Sequence, residues 1–274
     1  MSAITHEFRA SYAFMERNFF LVKRYWAWEL VWLAYSTANC LAIGYIGVGM
    51  EQVGGSSIDG EFLVLYLVVG ALVWRYLSLI FYWITDIIGL ERWEGTIEYT
   101  LMAPIHRLTH MAGQTLFSIA YSLISTGLVL LAAAAAFRLD LGQANLAGAV
   151  TVMLAGSLAF VGIGIVGSIL PLLFPERGAQ MTHVIIAVLL LISGVYYPVE
   201  VLPAILQKVS VLSPATYVLE GVRAALLEGA GMPTLMASII PALIIGAISI
   251  PLGLNAFALA ERYAKRAGKL HRNG

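Results

Sequence analysis

The chain has 274 residues, 60% hydrophobic and only 12% charged, with a mean hydropathy of +0.84 and no net charge. A soluble globular domain carries roughly 45–50% apolar and about 25% charged residues, so this composition excludes a water-soluble fold. Zero net charge by itself says nothing about nucleic acid or acidic partners, the distribution of charge saying more, and the single cysteine, Cys40, excludes an internal disulfide framework.

The first 25 residues mix charges with aromatics and hold no short apolar core before a small-residue cleavage site, so no cleaved signal peptide is expected. Residues 5–26 instead predict an amphipathic helix. Phe8, Tyr12, Met15, Phe19, Val22 and Trp26 recur at helical spacing, while Glu7, Glu16, Arg17, Lys23 and Arg24 lie off that stripe. Such a helix lies in the headgroup plane. Six apolar runs follow, at Trp28–Met50, Phe62–Leu90, Met111–Phe137, Leu146–Phe174, Met181–Tyr197 and Thr234–Ala260. A spanning helix needs about 20 apolar residues, so six transmembrane helices are expected, the fifth being the shortest.

Between the runs, Glu51–Glu61 and Arg138–Asn145 read as short external loops, and Pro175–Gln180 as a tight cytoplasmic turn. Val199–Glu228 is too polar and broken to span. Val201, Leu202, Ile205, Leu206, Val209 and Leu212 repeat at helical spacing, as do Tyr217, Val218, Val222, Ala225 and Leu226 after Ser213-Pro214. Two short re-entrant helices on the external side satisfy their own backbone groups at membrane depth.

Lys and Arg set the orientation. Arg9, Arg17, Lys23, Arg24, Arg92, Arg107, Arg177, Arg262, Lys265, Arg266, Lys269 and Arg272 fall on one side, against Arg138, Lys208 and Arg223 on the other. Both termini are therefore expected in the cytoplasm of a multi-pass protein in the cell membrane.

Sequence signatures of catalysis are missing. There is no GxxxxGK[ST] phosphate loop, no HExxH and no GxSxG. His106 and His110 are four apart but lack a third ligand, so no metal is expected. Two charges do fall inside the second run, Arg75 and Asp86. Intramembrane charge is expensive and marks function by default. Eleven residues of helix separate the two by about 16 Å, so they share a face without pairing. Glu29 and Asp86 fit hydrated interfacial positions.

The segment Leu90–Ile105 (LERWEGTIEYTLMAPI) reads as a cytoplasmic helix stopped by Pro104. Leu90, Trp93, Ile97 and Leu101 form an apolar stripe; Glu91, Glu94 and Glu98 form an acidic one beside it. Gly95 permits close backbone approach and Thr96 bonds locally. An acidic face suits docking on a soluble partner better than contact with a negative inner leaflet.

These residues carry a resemblance. EGTIEYTLMAPI resembles the coupling-helix motif of type-2 ABC exporter permeases of the daunorubicin-resistance type. A second stretch is also similar to that family: Ser193-Gly194-Val195-Tyr196-Tyr197-Pro198, then Leu202-Pro203, then Leu212-Ser213-Pro214-Ala215-Thr216-Tyr217 and Glu220-Gly221-Val222-Arg223. Leu90 to Arg223 is covered. The basic stretch that often precedes the first span in polysaccharide and teichoic-acid exporters has only a partial echo, Lys23-Arg24-Tyr25.

The resemblance implies an all-α permease domain over residues 1–274, pairing with a second permease subunit and with two ABC ATPase subunits that bind ATP and Mg, this chain binding no cofactor. It implies that Glu91, Trp93, Glu94, Gly95, Thr96, Ile97, Glu98, Leu101 and Pro104 couple to the ATPase. Arg75, Tyr196, Tyr197, Pro198, Pro214, Tyr217 and Arg223 are expected along the translocation pathway or its external gate, with Leu202–Leu212 and Ala215–Leu227 closing that side. The cargo implied is hydrophobic or amphipathic, drug-like or lipid. Alternatives are a lipid-linked polysaccharide or teichoic-acid exporter, an ion-coupled secondary transporter suggested by Arg75 and Asp86, and a membrane anchor without transport.

Overall fold

The computed structural model describes residues 3–54, 60–139, 141–268 and 270. Residues 55–59 of the expected external turn at Glu51–Glu61 lie outside the described residues, as do Lys269 and Arg272. Among the described residues the fold is all helical. In chain order come α1 (Ala3–Arg24), α2 (Trp26–Gly54), α3 (Gly60–Glu94), α4 (Ile97–Met102), α5 (Arg107–Phe137) and α6 (Leu146–Gly167). Then follow α7 (Ile169–Leu173), α8 (Gly178–Ile192), a 3-10 turn (Val199–Val201), α9 (Ala204–Ser210), α10 (Pro214–Leu227) and α11 (Met232–Arg266). Five stretches are long and apolar enough to cross a membrane: Trp26–Met50, Gly60–Glu94, Leu108–Phe137, Leu146–Leu173 and Met232–Arg266. The shorter apolar helix Gly178–Ile192 is the sixth.

Two spans depart from their sequence boundaries. The fourth run breaks at Ser168, whose hydroxyl donates to the Ile165 carbonyl at 2.7 Å, so α7 is a separate short turn of helix. The fifth run ends at Ile192 rather than Tyr197. Ser193 turns its hydroxyl back onto the Leu189 carbonyl, and Gly194 takes φ +70°, which stops the helix. Tyr196 and Tyr197 therefore sit in an irregular segment.

Packing explains the arrangement. No hydrophobic gain drives helices together inside a bilayer, so close approach of small residues does. The most extensive contact joins α6 and α11. There Gly246 lies against Leu158 and Ala159, Gly162 against Ser249, and Gly253 against the Gly162 carbonyl. The central helix α3 packs on α2, α5, α6 and α10; its Tyr76 hydroxyl meets Ser157 of α6 at 2.5 Å, and Trp74 meets Phe160 edge-on. In contrast, only 17% of the α2 span is buried, against 72% for α3. α2 is thus a peripheral helix whose apolar surface faces outward.

α1 forms where its amphipathic period predicted, and the docked face, which carries Ser11, Phe14 and Asn18, is not the aromatic stripe. Ser11 donates to the Thr109 carbonyl at 2.8 Å and Asn18 donates to Gln114, both on α5. Gly113 of α5 makes room: a side chain there would meet the Ser11 carbonyl oxygen at 2.6 Å and Phe14 at 2.7 Å. Phe8, Tyr12, Phe19 and Trp26 consequently face outward, where lipid would receive them.

Candidate functional site: the α3–α4 elbow and the intramembrane arginine

Residues 90–105 do not form one helix, contrary to expectation. α3 continues to Glu94 and ends in a Schellman motif. Gly95 adopts φ +76°, its N–H donates to the Arg92 carbonyl at 3.3 Å, and the Thr96 N–H donates to the Glu91 carbonyl at 2.9 Å. Gly95 is thus a helix stop that needs the left-handed region, rather than a site of close approach. A new helix, α4, starts two residues later, so the side-chain phase resets and the two stripes read across the segment come apart.

Ile97 and Leu101 point inward, at 0% and 3% exposure, and Leu90 is half-buried. Trp93 instead points outward, together with Tyr99 and Met102. Of the acids, Glu94 is exposed, Glu98 is half-buried near Arg92, and Glu91 is buried. Glu91 does not belong to an acidic docking face. Its Oε1 accepts from Arg17 Nη1 at 2.8 Å and lies 3.5 Å from His110 Nε2. Phe14 stacks on His110 with ring centres 4.6 Å apart, and Arg17 lies over the Phe14 ring. One carboxylate therefore clasps α1, α3 and α5 behind the elbow. Pro104 is exposed, in the turn between α4 and α5.

A second clasp holds the end of α11. Arg92 Nη1 donates to the Leu270 carbonyl at 2.6 Å, and Lys265 reaches the Leu101 carbonyl at 3.4 Å while pairing with Glu261 at 2.7 Å. On the outer turn of α1, Glu7 accepts from the Thr109 hydroxyl and from the His106 N–H. The Thr109 bond is the main reason its carboxyl is held below the ordinary range. Arg17, Arg92, Tyr99 and Met102 were not singled out from sequence as site residues, and His110 was weighed there only with His106 as a metal pair. Only an off-stripe apolar pair, Tyr99 and Met102, left a sequence trace.

At the far end of the bundle, the second set of residues does come together. Arg223 of α10 donates to the Gly194 and Val195 carbonyls at 3.0 and 2.6 Å and stacks 3.6 Å over the Tyr66 ring. It closes the carbonyls left open where α8 stops. Gly70 of α3 allows this, since any side chain there overlaps the Val195 carbonyl oxygen. Ser193 and Ser213 share a hydrogen bond at 2.7 Å, and Tyr197 and Tyr217 donate to the Leu191 and Val211 carbonyls at 2.6 and 2.9 Å. Pro214 opens α10 at its first turn, and Tyr196 and Pro198 flank the break. A cavity of about 320 Å³ opens here, lined by Phe62, Tyr66, Glu200, Glu220, Arg223 and Glu228 among others.

Arg75 lies apart from both groups, near the middle of α3. Its Nη1 and Nη2 donate to Thr126 and Ser125 of α5 at 3.2 and 2.8 Å. Asp86, as expected, is no partner for it and lies on the surface beside Thr85 and His183. Glu29 accepts a hydrogen bond from Tyr121 of α5, whose ring packs on Trp83. Among the described residues, no group of three or more His, Cys, Asp or Glu side chains is placed to hold a metal ion.

Comparison with known proteins agrees with this architecture. The ABC-2 type transporter family matches residues 10–227, which is most of the chain. No curated protein matches it. A bundle of apolar helices with a polar elbow at one end, matched over that length, makes this multi-pass membrane protein a member of the ABC-2 type transporter family, a permease component that works with an ABC ATPase and is not itself the catalytic ATPase.

Proposed function

We propose that the chain is an exporter permease that pairs with a second copy of itself and receives the stroke of two ATPase subunits at the α3–α4 elbow. The observation that carries this is the elbow's outward face. Trp93 and Glu94 at the end of α3, and Tyr99 and Met102 on the short helix α4, are all exposed, while Ile97 and Leu101 anchor the other side of α4. Large apolar side chains with an acid among them are costly against water and suit a protein partner. The anchors make the elbow a lever: force on α4 reaches α3 through the Gly95 turn, and α1 and α5 through Glu91.

In this reading both termini and the elbow are cytoplasmic, and Val199–Glu228 is external. The sparsely buried α2 supports pairing with a second copy, which would cover it. Arg75 borders the pathway, and the Tyr196–Pro198 break, Pro214, Tyr217 and Arg223 form the external gate. The cargo is hydrophobic or amphipathic, a drug-like molecule or a lipid, moved outward in a multidrug-resistance type of activity.

The test is charge reversal at the exposed acid. Glu94→Lys should weaken ATPase co-purification and abolish nucleotide-dependent transport in proteoliposomes, while the permease remains folded and the free ATPase keeps its basal hydrolysis. An interfacial charge pair broken from one side costs about 2–5 kcal/mol when buried and little at a rim. Wild-type assembly and transport by Glu94→Lys would remove the elbow from the docking surface.

A further inference from the structure

Among the described residues, Arg75 is an intramembrane cation without an anion. α3 runs from Gly60 to Glu94, which places Arg75 roughly 22 Å from one end and roughly 28 Å from the other at 1.5 Å per residue. Its side chain cannot snorkel to either interface from there. Among the described residues no carboxylate pairs with it; its partners are the Ser125 and Thr126 hydroxyls, and its Nε is buried without a partner. Hydroxyl dipoles orient a guanidinium but leave its charge unneutralised, and an uncompensated charge at this depth is costly. Glu29, on α2, is engaged by Tyr121 of α5.

The surroundings specify what the missing anion is attached to. Ile124 and Leu128, which flank Ser125 and Thr126 along α5, are exposed at 68% and 48%. A single fixed cation held by two hydroxyls, on a helix whose neighbouring face is exposed and apolar, matches a molecule with one oxyanion and an aliphatic body. Guanidinium binds carboxylate and phosphate oxygens in fork geometry.

We propose that Arg75, cradled by Ser125 and Thr126, is the headgroup site for an anionic amphiphile, a carboxylate or phosphate ester with an acyl or alkyl body, and that this is the cargo class. The proposal rests on the reading that the seam where α2, α3 and α5 pack together borders the transport pathway. The anion neutralises Arg75 while bound, and the apolar body lies along α5.

The test uses the full chain in nanodiscs of phosphatidylcholine without ATPase, so that its outcome is independent of the elbow. Dodecyl phosphate should bind saturably, and dodecyltrimethylammonium should bind far more weakly. Arg75→Gln should lower dodecyl phosphate affinity by roughly tenfold or more, the weight of a lost charge-assisted hydrogen bond. Arg75→Lys should retain much of it, and Ser125→Ala with Thr126→Ala should fall between. Competition by phosphatidate would identify a lipid headgroup as the source, and competition by dodecanoate a fatty-acid-like cargo; both support the site. Displacement by inorganic phosphate alone would overturn the amphiphile class. Unchanged affinity in Arg75→Gln, or equal affinity for the alkylammonium, would overturn the site. So would conversion of a permease pair to monomers by Arg75→Gln but not by Arg75→Lys, since the counter-ion would then belong to the second copy. ATPase co-purification should be the same for all three variants.

Discussion

The Arg17–Glu91 clasp is asymmetric, and the asymmetry can be measured. The Glu91 side chain is 2% exposed and that of Arg17 is 36% exposed. Arg17→Met keeps an unbranched side chain of similar length beside Phe14 but strands a buried carboxylate, with His110 as its remaining polar neighbour among the described residues. Breaking a buried pair from one side costs about 3–5 kcal/mol; with the imidazole 3.5 Å away, the low end applies. Glu91→Gln instead leaves an amide oxygen that still accepts from Arg17 Nη1, so what is lost is the charge of the pair and about 1 kcal/mol is expected. At 1.4 kcal/mol per tenfold, α1 should detach roughly a hundredfold more often in Arg17→Met and about fivefold more often in Glu91→Gln. Hydrogen exchange of residues 10–21 in nanodiscs reads this opening directly, with the α6 amides as internal reference. The double variant should fall well short of the sum of the singles, because the two side chains are one interaction. Equal acceleration in the two single variants, or strict additivity, would refute the clasp as described.

Three further outcomes follow from the geometry. Gly95→Ala forces a side chain into φ +76° at a cost of about 1–2 kcal/mol; transport-coupled ATP hydrolysis should fall, and Gly95→Asn should recover part of it. Gly70→Ala overlaps the Val195 carbonyl oxygen and displaces the bonds from Arg223, costing about 1–3 kcal/mol or more; thermal melting should drop clearly, whereas Gly127→Ala, with open space around it, should not lower it. The Glu7 carboxyl is held below its usual 4.5 by Thr109, so its contribution to docking the start of α1 is complete above that pH and is lost as pH falls through the lowered value. Exchange of the first turns of α1 should therefore accelerate on acidification in the wild type and much less in Thr109→Val.

The apolar runs, the amphipathic period of α1 and the Lys/Arg distribution are properties of neighbouring residues in the chain, so composition and spacing were enough to place the helices within a few residues. The family followed from two local motifs for the same reason. Even the break at Gly95 was legible in principle, since glycine after an apolar run is a helix-stop signal; reading through it merged α3 with α4 and put Glu91, Glu94 and Glu98 on one face. The partner of Glu91 was not legible, because Arg17 lies 74 residues away in the chain, and a carboxylate at the end of a hydrophobic helix has the same local sequence whether it meets water, an ATPase or an arginine. The same holds at Arg75. Its depth was readable from the run that contains it, but only the packing of α5 against α3 decided that the hydroxyls of Ser125 and Thr126 stand beside it. Charge pairing is set by which surfaces close on each other, and in a bundle of uniformly apolar helices that choice rests on glycines and small side chains spread over the whole chain.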